Sequence, residues 1–139
     1  MLKTARRIKA LKAVLAGSGS DAMTSKEVAD AVWSLLPEET KLAAKPKLAY
    51  LGTPTYDTEA AMNRQCERLV ERGATLSPIF VCESGKLDDS AARAVEECDI
   101  LLCSGGNPAF AMQAWRATGL DGASSDPTLA MRACFLLSY

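Results

Sequence analysis

The sequence predicts a three-layer α/β sandwich around a mainly parallel sheet. Three observations predict it. Short apolar runs alternate with longer amphipathic stretches along the chain. The runs are almost uninterrupted, as in Leu48-Ala49-Tyr50-Leu51 and Ile100-Leu101-Leu102, which suits strands covered on both faces. Glycine, proline or asparagine punctuates most of the joints between them. Strands linked through helices make βαβ units with right-handed crossovers.

The elements follow in order. A first strand is expected over 8–16, ending in Ala13-Val14-Leu15-Ala16 and broken by Gly17-Ser18-Gly19-Ser20. A helix over about 25–36 sets Val28, Ala29, Val32, Trp33 and Leu36 on one face. Thr24 and Glu27 read as its capping box, and Pro37 as its stop. The second strand, 47–52, leaves through Thr53-Pro54-Thr55. The helix over about 57–72 takes Asp57 as N-cap and Gly73 as C-terminal cap, with Met62, Cys66, Leu69 and Val70 inward. A third strand is expected over 74–82, a short helix over 88–97 and a fourth strand over 99–103. A further helix over 107–118 closes at Gly119, and a fifth strand follows at 131–137. One domain over 1–139, of flavodoxin-like type, accommodates them all.

Composition narrows the chemistry. Apolar residues make up 48% and charged residues 24% of the chain, as in a folded globular protein. Sixteen basic and 17 acidic residues leave a net charge of −1, so no nucleic-acid partner is expected. Lys3, Arg6, Arg7, Lys9 and Lys12 read as a solvated lead-in. Histidine is absent, so no Ser-His-Asp or Cys-His relay and no His-ligated metal site can be completed within these residues. A general base would be a carboxylate, a lysine or a group from outside. The five cysteines are odd in number and form no C-x-x-C pair. They read as reduced thiols of a cytoplasmic protein, without disulfide or zinc. No signal peptide or membrane span is expected, and no cofactor.

The strongest local signal is Cys103-Ser104-Gly105-Gly106-Asn107-Pro108, which leaves a strand and opens a helix. Gly105 and Gly106 let the backbone turn sharply beside a ligand. Asn107 suits the N-cap and Pro108 the first helical position. The N–H groups there favour an anion or a developing oxyanion; a plain strand-to-helix connection is the other reading. Gly17, Ser18 and Gly19 form a second candidate binding loop, matching neither G-x-G-x-x-G nor the Walker pattern. Thr53 and Thr55 offer hydroxyls beyond the second strand. Cys103 and Ser104 lack a base to activate them, and Trp33 and Trp115 read as core. No catalytic residue is assigned.

In order, Leu15-Ala16-Gly17-Ser18-Gly19, Ala49-Tyr50-Leu51-Gly52-Thr53-Pro54, the strand running into Gly105-Gly106-Asn107 and the helix ending near Trp115 resemble the peptidase E (alpha-aspartyl dipeptidase) and cyanophycinase family of serine peptidases. The resemblance reaches about Asp121, and its distinctive part is Gly-Gly-Asn. It implies a flavodoxin-like or class I glutamine-amidotransferase-like fold and hydrolysis of aspartyl peptides. It also implies that the Gly106 N–H serves an oxyanion hole and that Asn107 holds the turn in shape. The family's nucleophile is a serine in a Ser-Ala-Gly elbow one strand later, with a histidine beyond it. Neither occurs here, and Ser138 is not followed by Ala-Gly. The expectation is a truncated homologue, inactive alone, that binds an aspartyl peptide or another small anion. Its uncovered sheet edge would pair with another copy or a longer relative. The alternative is a non-catalytic flavodoxin-like module for an anionic ligand or a full-length partner.

Overall fold

The computed structural model describes residues 12–17, 19–43, 45–82 and 85–121. Helices α1 (Gly19–Thr24), α2 (Lys26–Ser34) and α3 (Glu38–Ala43) precede strand β1 (Lys47–Leu51). After a 3-10 turn, Thr53–Thr55, come α4 (Glu59–Glu71), β2 (Thr75–Ile79), α5 (Asp89–Glu97), β3 (Ile100–Cys103) and α6 (Pro108–Thr118).

The three strands are parallel, in the order β2-β1-β3. Leu48 pairs with Leu76 on one side and Ile100 on the other. Alternate side chains of β1 enter opposite layers, as the pleat requires. Leu48 and Tyr50 join Ile100 and Leu102 against α1, α2 and α4 through Met23, Ala29, Val32, Met62, Cys66 and Leu69. Ala49 and Leu51 join Leu101, Cys103 and Ile79 against Ala91 of α5 and Trp115 of α6. Both faces are covered, so the strands can be apolar throughout. This is the three-layer α/β architecture expected. Pro78 sits in β2, which pairs only with β1 among the described residues, and an edge tolerates its missing N–H.

Several local expectations are corrected. Residues 12–16 form no strand. Val14 and Ala16 lean on the core, while Leu15 is 70% exposed. The apolar run packs as an irregular segment on one layer instead of pairing. Helices α1 and α3 were not expected; both are six residues long, too short to show a clear periodicity. The cap of α2 is Ser25, whose Oγ accepts the Val28 N–H, and not Thr24. The Thr24 hydroxyl instead donates back to the Asp21 carbonyl at 2.9 Å, ending α1. On α4, Val70 faces solvent and Gln65 lies inward. The third strand ends at Ile79, short of 82. The expected strand at 131–137 and the polar stretch from 122 lie outside the described residues.

The topology also fixes where a ligand would sit. β1 exits toward α4 on one face, and β3 exits toward α6 on the other. Adjacent strands whose connections leave to opposite faces open a crevice at their carboxyl ends, the usual ligand position in open α/β sheets.

Candidate functional site

Two loops meet in that crevice. From β1, Gly52 leads into the 3-10 turn, whose Thr53 and Pro54 are buried. From β3, Ser104 and Gly105 are buried while Gly106 and Asn107 are exposed. The Asn107 N–H donates to the Pro54 carbonyl at 2.8 Å, and the Ser104 N–H to the Leu51 carbonyl at 2.9 Å. The loops are thus tied backbone to backbone twice, each time across 53 positions of chain. Asn107 is the N-cap of α6: its Oδ1 accepts the Phe110 N–H, and its Nδ2 donates to the Tyr56 hydroxyl at 3.1 Å. Pro108 opens the helix and Gly119, at φ 78°, closes it, both as the sequence predicts.

Gly106 has φ 133°, a region that side chains disfavour. A Cβ there would meet the Pro54 carbonyl, with the carbonyl carbon 2.8 Å away. Glycine is therefore required by conformation and by close approach together.

A buried polar chain runs beneath the turn. The Tyr50 hydroxyl donates to Gln65 Oε1 at 3.2 Å, and Gln65 Nε2 donates to Ser104 Oγ at 3.3 Å. Ser104 Oγ donates to the Gly105 carbonyl at 3.0 Å and lies 3.2 Å from Thr55 Oγ1. Burial pushes the Tyr50 phenol up, so it remains a donor. The consequence is geometric. In a trans peptide the N–H points opposite the C=O of the same unit. Holding the Gly105 carbonyl on Ser104 turns the Gly106 N–H away from the core. Among the described residues, neither Gly105 N–H nor Gly106 N–H finds an acceptor.

The other hydroxyls are occupied. Thr53 is fully buried, and its Oγ1 accepts the Trp115 indole N–H at 2.9 Å. Thr55 Oγ1 donates to the Gly52 carbonyl. Beside the turn lies a pocket of about 100 Å³, between Pro54, the Ser104–Gly106 backbone and the α6 residues Pro108, Ala111, Met112 and Trp115. Gly17 is exposed and Gly19 begins α1; Ser18 lies outside the described residues. Among the described residues, no hydrogen bond joins Gly17 or Gly19 to the Gly105 turn.

Asp57 is not the helix cap. Its Oδ2 accepts the Val81 and Cys82 N–H groups, each at 2.8 Å, and Thr58 caps α4 by position. The chain reaches this geometry through left-handed Tyr56 and Asp57, at φ 56° and 54°. Sequence reasoning also missed Gln65. The available signal was a polar residue inside the inward stripe of α4, next to Met62, Cys66 and Leu69.

No group of three or more Cys, Asp or Glu among the described residues could hold a metal. Burial pushes the thiols of Cys66 and Cys103 from an ordinary 9.0 to about 12, and that of Cys98 to about 11. Unfolded thiols ionise first, so this contribution to stability is whole below pH 9.0 and is lost as pH rises toward 11 to 12. At pH 8, alkylation mapped by mass spectrometry is expected to leave Cys66, Cys98 and Cys103 unmodified until urea unfolds the chain. Native modification of Cys103 would contradict its burial.

The solved structures decide the fold. A peptidase from an acI-B1 actinobacterium superposes with TM-score 0.65 at 16% identity, over 88% of this chain and 52% of that protein. A candidate peptidase E protein from Listeria monocytogenes EGD-e superposes with TM-score 0.56 at 14% identity, over 89% of this chain and 56% of that one. This is a peptidase E-like fold. The chain spans about half the length of each of these peptidases. No protein-family model and no curated protein matches the sequence. No helix among the described residues is long and apolar enough to cross a membrane.

Proposed function

We propose that this chain is the acyl-binding half of a peptidase E-like hydrolase: the N–H groups of Gly105 and Gly106 receive the carbonyl oxygen of a substrate as it becomes an oxyanion. The observation that carries this reading is the turn itself. Its donors stand at the carboxyl ends of β1 and β3, and the Tyr50–Gln65–Ser104 chain orients the Gly106 N–H from below. Donors fixed in advance stabilise developing charge without reorganising during reaction. The two similar peptidases support hydrolysis as the reaction class, and the Gly-Gly-Asn resemblance brings aspartyl peptides as the first substrates to test.

The rest of the relay would come from outside these residues. Histidine is absent, and the Ser104 hydroxyl is buried and already bonded to Gln65 and Gly105. An oxyanion hole without its nucleophile and base retains only about 10³–10⁴-fold rate enhancement over water. The test compares the chain alone with a fusion to the part of the actinobacterial peptidase that this chain does not cover, on an Asp-Leu dipeptide. No turnover is expected from the chain alone, and measurable turnover from the fusion. Brisk hydrolysis by the chain alone, or a folded but inert fusion, would overturn the reading. The missing histidine equally suits an anion-binding module without chemistry, which thermal stabilisation by nucleotides but not by aspartyl peptides would favour.

A further inference from the structure

We propose that the pocket beside the Gly105-Gly106 turn is a subsite for a small, uncharged, apolar side chain of the ligand whose carbonyl that turn holds. This rests on the acyl-binding reading and adds the chemistry of the group next to the bound carbonyl.

Three observations carry it. The pocket opens where β1 and β3 send their connections to opposite faces, and both exit loops line it. No charged residue lines it; Pro54, Pro108, Ala111, Met112 and Trp115 supply its walls. Apart from the Gly105 and Gly106 N–H groups, which the ligand's carbonyl takes, the polar atoms within reach are already engaged. Ser104 Oγ accepts from Gln65 Nε2 and donates to the Gly105 carbonyl, and the Trp115 indole N–H is held by Thr53. With those donors taken by the carbonyl, a carboxylate or ammonium on the tail would lose its water here and find no partner, which strongly disfavours it. An alkyl group loses nothing of that kind and gains burial. The volume, about 100 Å³, equals roughly three waters' share of the liquid, so it suits a branched tail of a few carbons. The backbone donors at its mouth then fix the carbonyl while the tail fills the floor. An aspartyl carboxylate would have to lie elsewhere in the crevice.

Three simple carboxylates test this on the intact chain, because each presents the same anion to the turn with a different tail. Acetate has almost none, isovalerate carries a branched alkyl group, and succinate carries a second charge. Amide shifts of Gly105 and Gly106 and the indole N–H shift of Trp115 are followed by NMR during titration. Isovalerate is expected to half-saturate at a concentration at least tenfold below acetate; three buried carbons set an upper bound of about fiftyfold. Succinate should do no better than acetate. Filling the pocket by Ala111→Val should bring isovalerate back to the level of acetate. The ligand series decides the matter without that variant if it folds poorly. If all three shift the glycine amides equally, or succinate binds best, the apolar subsite is wrong and the acyl-binding turn stands. If none shifts them, the acyl-binding reading fails and the subsite with it.

Discussion

Gly106→Ala is expected to destabilise the chain by at least about 2 kcal/mol, the cost of a side chain held in a glycine conformation at a tight contact. Two costs act together. The φ of 133° excludes a comfortable alanine. The new Cβ would also press on the Pro54 carbonyl, whose carbon would lie 2.8 Å away. That carbonyl cannot retreat freely, because it accepts the Asn107 N–H at 2.8 Å. Relief requires parting the two loops that form the crevice, so the effect should be local as well as global. Urea unfolding gives the loss of stability, and the amide shifts of Thr55 and Asn107 should move most. Gly17→Ala is the control, since a Cβ there meets nothing within 4 Å; it should stay within about 0.5 kcal/mol of the parent. If Gly106→Ala does the same, the loops are not in the close contact described.

Asp57→Ala is expected to cost about 3 kcal/mol. One carboxylate oxygen accepts two backbone N–H bonds, from Val81 and Cys82, and bonds to a charged acceptor are each worth about 1.5–3 kcal/mol. The variant leaves both donors without that acceptor and places alanine at φ 54°, where Asp and Asn are better tolerated. The other oxygen, Oδ1, is buried without a partner, packed toward Gly52. Asp57→Asn should therefore fall between parent and alanine: it keeps one acceptor but puts an amide nitrogen into that closed space. Hydrogen exchange at Val81 and Cys82 reads the bonds directly. Unchanged protection there in Asp57→Ala would show that the carboxylate does not hold the exit of β2.

These two residues show how unevenly the site could be read from the chain. The Gly106 turn was legible because its determinants are consecutive: two glycines, a capping asparagine and a proline at the first helical position act on one another within a few bonds. Asp57 was misread because a helix N-cap is the nearest use for an aspartate before a helix. Its real donors, the Val81 and Cys82 N–H groups, lie 24 and 25 positions away. Gln65 was passed over for the same reason. Its two partners, Tyr50 and Ser104, are 15 and 39 positions distant, and nothing in the helix repeat marks which polar residue will be buried. The first apolar run, 13–16, carried the composition of a strand but not its pairing. Composition states that a segment prefers burial; it does not state that an edge is available to bond it.

What the sequence determined alone was local and compositional. It specified the alternation of β1, β2 and β3 with their helices, the capping of α6 by Asn107 and Gly119, and the lack of an imidazole among these residues. Each follows from periodicity over a few turns, or from a count. Only the tertiary structure decided that β3 lies beside β1, that the exits of β1 and β3 face one another, and that the Gly105-Gly106 turn borders an apolar pocket. Those outcomes depend on contacts between residues about 50 positions apart. Their energies arise from packing and hydrogen bonding that exist only once the layers have come together.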